Sequence, residues 1–172
     1  MSADAVRPKA AIDAGFAVPG SDFTYAIGKL ALWSKMVDVT NGEEALKAGA
    51  FSKLSIANPI AAPYGAAAIE TMKALGVYDT LAPKIVEGES IAQAFQFVDT
   101  KNAEVGFVAL SQLYYGVGGW RWLVPQDFYA PIRQGAVLLK KGDNDEASKA
   151  FLQFLKGPEA RAIIERFGYR FH

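Results

Sequence analysis

Two turns in this sequence have the residue types needed to hold an anion without a charged side chain. The first, Asn58-Pro59-Ile60-Ala61-Ala62-Pro63-Tyr64-Gly65, leaves a strand-like run, turns at two prolines and opens a helix. The second, Gly88-Glu89-Ser90-Ile91, opens another helix. A helix start presents backbone N–H groups that lack intrahelical partners, together with the positive end of the helix dipole, so each turn is a candidate anion cradle. Helix starts occur in every α/β protein and are commonly capped by water or a side chain, so neither turn is diagnostic alone.

Other chemistries are poorly supplied. Cysteine is absent and the single histidine is the last residue, His172, read as a solvated tail, so thiol catalysis, zinc clusters and Ser–His triads are excluded. Glu70, Glu87, Glu89 and Asp99 fall at spacings that place them on exposed helix faces or turns, where they act as solubilising charges rather than paired acids. Tyr114, Tyr115, Trp120 and Trp122 flank Gly116-Val117-Gly118-Gly119. A base- or sugar-stacking platform would use such residues, but core and loop packing is the commoner role of an aromatic cluster and is expected here. The glycines are not a phosphate loop, because no Lys-Ser/Thr pair follows them.

The elements that would position the two turns alternate between strand and helix. Phe23–Trp33 follows a Pro-Gly-Ser turn and reads as one long strand. A short helix over Asn41–Ala48 and a strand over Lys53–Ala57 come next. Gly65–Leu75 has Ile69, Met72 and Leu75 at helical spacing and stops at Gly76. Ser90 stands at the N-cap of a helix whose apolar positions are Ile91, Phe95 and Val98. Val105–Ala109, Arg121–Val124 and Ala136–Lys140 read as further strands. Asp145–Leu155 and a helix begun by Pro158 and ending at Phe167 complete the chain. This alternation predicts an α/β sandwich with mostly parallel strands.

With 172 residues, 51% of them hydrophobic, the chain can build one good core or two small lobes. Lys+Arg and Asp+Glu total 18 each, which argues against a nucleic-acid footprint or a membrane-surface patch. No apolar run reaches the length of a membrane span, and Met1–Pro8 is not a secretory signal, so the chain as written is expected to stay in the cytoplasm.

Taken as a set and in order, the runs Phe23–Ser34, Ala57–Gly65, Gly88–Gln93, Val105–Ser111 and Phe154–Tyr169 resemble the periplasmic molybdate-binding proteins of molybdate ABC transporters. The resemblance implies a type II periplasmic binding-protein-like fold, in which two α/β lobes close over a tetrahedral oxyanion, molybdate or tungstate. It implies neutral donors only: hydroxyls and N–H groups of the first lobe, and backbone N–H groups at helix starts of the second. Those second-lobe positions map onto Tyr64 and Ile91, with Pro63, Gly65, Ser90 and Ala109 as neighbours. Some members carry a tyrosine hydroxyl where this chain has Ala109, so that donor is missing.

The resemblance further implies a complete second lobe, the hinge strands and a partial first lobe. The expected division is 1–33 (first-lobe remnant and first crossing strand), 34–130 (second lobe) and 131–172 (return strand and C-terminal helices). The segment before Met1 in the family is absent from this chain, and with it the other half of the cage, so weak binding and self-association through the incomplete lobe are expected. The implied partners are the oxyanion and the membrane permease of an importer in the periplasm, with no cofactor, no protein-ligated metal cation and no nucleic acid. A ligand-sensing regulatory domain on the same fold is the alternative. An enzyme on this fold is the weakest reading, since no acid/base pair with a nucleophile emerges.

Overall fold

The computed structural model describes residues 1–171, and the reading of His172 lies outside them. Among these residues the elements run α1 (Val6–Asp13), β1 (Phe23–Gly28), β2 (Leu30–Ser34), α2 (Gly42–Ala48), β3 (Leu54–Ala57), α3 (Pro63–Ala74), α4 (Tyr78–Leu81), β4 (Ile85–Gly88), α5 (Ile91–Asp99), β5 (Val105–Ala109), β6 (Trp120–Leu123), β7 (Ile132–Ala136), α6 (Glu146–Lys156) and α7 (Pro158–Arg166). They form two units. One comprises Met1–Gly28 with the chain from Ile132 onward, and the other is Lys29–Pro131, so the backbone passes between units twice.

In the 29–131 unit a five-stranded sheet has the order β4-β3-β5-β2-β6. Strands β4, β3 and β5 are parallel, whereas β2 is antiparallel to both β5 and β6. The sheet is therefore mixed rather than mostly parallel. The connections that contain helices, β3-α3-α4-β4 and β4-α5-β5, are long enough to return the chain for parallel pairing. Strands β2 and β6 instead join the sheet antiparallel.

The other unit holds β1 and β7 as an antiparallel pair, with Phe23 opposite Ala136, Gly28 opposite Ile132 and a bulge between Thr24 and Ala26. Single bridges flank the pair, Ser2 to Gly135 and Ile27 to Arg170. Its C-terminal helices have readable starts: Asp145 caps α6 by accepting from the Ser148 amide at 3.0 Å, and Pro158 occupies the first position of α7.

Two strand readings need correction, and one strand has no counterpart in the sequence reading. The run Phe23–Trp33 is not one strand: it breaks at Lys29, sending β1 to one sheet and β2 to the other. The strand expected over Ala136–Lys140 lies upstream, at Ile132–Ala136, because pairing with β1 selects Arg133-Gln134-Gly135 over the more apolar run that follows. Strand β4 was not anticipated. It has only two apolar residues, and pairing with β3 supplies what its propensity lacks.

The core of the 29–131 unit is built around β2. Its residues Leu30 to Ser34 are all buried, and Trp33 packs with Ala31, Val98, Ala103, Val108 and Leu113. The Trp33 ring stacks on Phe95 of α5 with centroids 4.9 Å apart and planes 7° from parallel. Its indole N–H donates to the Gly118 carbonyl at 2.8 Å, which straps the glycine loop over the core. The packing role expected of the aromatic cluster is thus filled by different residues: Tyr114, Tyr115 and Trp120 are exposed, and of the four only Trp122 packs inward, against Gly42 and Phe128. Replacing Trp33→Phe keeps a ring against Phe95 but removes the strap and leaves a gap. Urea denaturation should show a loss of about 2 kcal/mol, within the range for large-to-small core changes.

Candidate functional site

Parallel pairing brings the carboxyl ends of β4, β3 and β5 to one edge of the sheet, the place where open α/β sheets offer ligand crevices. Ala57 at the end of β3 lies opposite Gly88 at the end of β4. The register is extended one step by the Asn58 amide, which donates to the Gly88 carbonyl at 2.7 Å. Five residues separate the end of β3 from the start of α3, and two separate the end of β4 from the start of α5. Ala109 ends β5.

The α3 start is organised by Asn58. Its side-chain oxygen accepts from the amides of Ile60 at 2.9 Å and Ala61 at 3.0 Å, turning the chain back so that Pro63 enters the helix at its first turn. Gly65 then lies directly against the Ala57 carbonyl, where a Cβ would collide with the carbonyl oxygen. Tyr64 is 5% exposed, with its hydroxyl oxygen sealed from solvent.

At α5 the capping groups are distributed selectively. Ser90 Oγ accepts from the Gln93 amide at 3.2 Å, and Gln93 Oε1 accepts from the Glu89 amide at 2.7 Å. This is a capping-box arrangement whose returning bond lands one residue before the N-cap. Among the described residues, the three amides between these two, those of Ser90, Ile91 and Ala92, donate to no protein acceptor. Ser90 and Ala92 are exposed and Ile91 is half-buried. Three consecutive backbone donors therefore stand at the positive end of a nine-residue helix, two of them, Ile91 and Ala92, in its first turn.

Helix α5 is seated closely on the sheet. A Cβ on Gly88 would approach the Ala94 amide nitrogen at 2.9 Å. Ser55 of β3 donates its hydroxyl to the Ala94 carbonyl at 3.0 Å. At the far end, Lys35 pairs with Asp99 at 2.7 Å. Ala109 is buried, its methyl offering no donor, and its own amide donates to Gln112 Oε1 at 2.9 Å.

The structure thus puts Pro63, Tyr64 and Gly65 at one helix start, Ser90 and Ile91 at the next, and Ala109 at the end of the neighbouring strand, all at the carboxyl edge of the parallel strands. Sequence reasoning did not single out Ala92, Gln93 or Gln112. The Ser90-x-x-Gln93 spacing is a signal that could have found Gln93. Nothing in the sequence ties Gln112 to Ile91, 21 residues away.

The family model of bacterial extracellular solute-binding proteins matches residues 1–170, and the chain belongs to that family. The molybdate-binding protein ModA of Rhodobacter capsulatus is 57% identical over 169 residues, which make up 98% of this chain and 67% of the relative. ModA of Azotobacter vinelandii is 50% identical over 173 residues, 98% of this chain and 69% of the relative. Among solved structures, a periplasmic molybdate-binding protein from Azotobacter vinelandii superimposes with a TM-score of 0.92 at 38% identity, covering 99% of this chain and 76% of that one. The fold is that of the type II periplasmic binding proteins. Among the described residues no helix is long and apolar enough to cross a membrane.

The Ser90 cap gives a test of the local architecture that needs no ligand. Ser90→Ala removes the acceptor of the Gln93 amide and should cost about 1 kcal/mol in denaturant unfolding, the usual worth of an N-cap.

Proposed function

We propose that this chain is the solute-binding component of a molybdate (or tungstate) ABC importer, working with a membrane permease from the periplasmic side. The observation that carries the reading is the run of backbone donors at Ser90, Ile91 and Ala92, without protein acceptors among the described residues and lying between the bonded amides of Glu89 and Gln93. Its support from relatives is the 57% identity to a molybdate-binding protein over 98% of the chain.

Neutral donors suit this ligand for a chemical reason. Molybdate, tungstate and sulfate are fully deprotonated dianions at neutral pH, so every oxygen accepts and a donor-only site leaves none in conflict. Phosphate retains a proton that such a site cannot accept, and each mismatched polar group costs a buried hydrogen bond. Sulfate passes that filter and is separated by size, since a cage of fixed N–H groups fits one radius best. In this reading Ile91 contributes its amide at α5, Ala92 stands beside it, and Tyr64 contributes its amide at α3. Pro63, Gly65 and Ser90 shape the two turns, and Ala109 closes the floor without donating to the ion.

Equilibrium dialysis of labelled molybdate against the chain completed with the first-lobe segment that its relatives carry, with sulfate and phosphate as competitors, measures the reading directly. Tungstate should compete well, sulfate poorly and phosphate least; equal displacement by sulfate would defeat the assignment. Ile91→Ala should leave affinity nearly unchanged, whereas Ile91→Pro fits a first-turn position but removes the N–H and should weaken binding by about 1–3 kcal/mol. Equal effects of the two changes would discard the backbone cradle. At α3 the sealed Tyr64 hydroxyl is not presented to an incoming ion, so calorimetric titration of Tyr64→Phe should match the unsubstituted chain, and a tenfold loss would show that the hydroxyl does contact the ligand.

A further inference from the structure

Gln112 makes two bonds that meet at the α5 start. Its Nε2 donates to the Ile91 carbonyl at 3.1 Å, and its Oε1 accepts from the Ala109 amide at 2.9 Å. The two partners fix which way the side-chain amide faces, since one needs a donor and the other an acceptor. Gln112 sits in a short 3-10 turn, Leu110–Leu113, that begins directly after β5, so the same side chain ties the end of a strand to the first turn of a helix.

The carbonyl that receives Gln112 belongs to the peptide unit whose other end is the Ala92 N–H. A donor on the oxygen of a peptide draws charge toward that oxygen and makes the N–H of the same unit a stronger donor, an effect of about 10–30% per bond in a hydrogen-bonded chain. Resting on the oxyanion reading above, we infer that Gln112 is a positioning residue for the anion cradle: it holds the first turn of α5 against β5 and strengthens the Ala92 amide as the second donor to the ion. The relay runs Gln112 Nε2–H to the Ile91 carbonyl, through the Ile91–Ala92 peptide, to the Ala92 N–H. A side chain that never touches the ligand thereby sets the quality of a donor that does, and it does so with no formal charge near a dianion. The proposal also assigns Ala109 a part: its amide is the anchor that keeps the Gln112 side chain aimed at α5.

Two substitutions separate the bonds. Gln112→Met preserves length and flexibility but makes neither bond. Gln112→Glu keeps an acceptor for the Ala109 amide, loses the donor to Ile91 and places a negative charge beside the cradle. In the ligand-free chain, amide NMR should show the Ala92 proton resonance moving upfield in both variants, and the Ala109 resonance shifting strongly only in Gln112→Met. In dialysis, Gln112→Met should weaken molybdate binding by up to about fivefold, a fraction of one charge-assisted hydrogen bond, and the thermal midpoint should fall because the buried Ala109 amide loses its acceptor. Gln112→Glu should bind more weakly still.

An unmoved Ala92 resonance in either folded variant would overturn the inference, as would unaltered affinity in Gln112→Met. If the chain completed with the first-lobe segment that its relatives carry fails to bind molybdate, the functional reading fails, and the Gln112–Ile91–Ala92 relay is then decided by the Ala92 resonance alone. Should Gln112→Met not fold, Gln112→Glu supplies the same spectroscopic test.

Discussion

The arrangement depends on how closely two helices approach the strands that precede them. Gly65 rests on the Ala57 carbonyl and Gly88 on the Ala94 amide, and neither place has room for a Cβ that would leave the backbone where it is. Because Ala57 and Gly88 are partners in one parallel ladder, the two approaches are coupled through the same register. A slip of one residue would turn every side chain of the strand to the opposite face and detach both helix starts at once. The Asn58–Gly88 bond continues the ladder past the end of the strands, so register is enforced up to the turns themselves.

The core serves the same geometry from beneath. Trp33 on β2 stacks on Phe95 of α5, Ser55 on β3 reaches the Ala94 carbonyl, and Lys35 meets Asp99 at the helix end. The ion pair is partly exposed and contributes little to stability, about 0–1 kcal/mol. The buried stack and hydroxyl bond fix the helix along its length. What looks like ordinary packing is therefore what holds the amides of Ile91 and Ala92 in place at one end.

Much of this was legible in the sequence because the signals are local. Ser90 before an i, i+4, i+7 apolar stripe, Pro63 at a helix entry, Gly76 at a helix exit and the run Val105–Ala109 each name their element from neighbouring residues alone. What was missed is non-local. No residue near Lys29 announces that one apolar run serves two sheets; the break exists because β1 pairs with β7 and β2 with β5 and β6. Strand β7 is written in Arg133, Gln134 and Gly135, poor strand formers whose partner decides the matter. Gln112 had the same fault. Its role is visible only once β5 has brought the 3-10 turn beside α5.

An ion held by peptide groups has a consequence for how the site is recorded in sequence. On the reading proposed above, the side chains at Ile91 and Ala92 would face no chemical demand from the ligand, and those positions would be free to drift among helix-compatible residues. The restraint falls on the surroundings: on glycines that make room, on a serine and two glutamines that choose which amides stay open, and on an asparagine that aims a turn. A substitution scan of such a protein would draw the binding site in outline, tolerant where the ion touches and intolerant around it. Searching for shared ligand-contacting side chains would pass over relatives that a search for the surrounding frame would find.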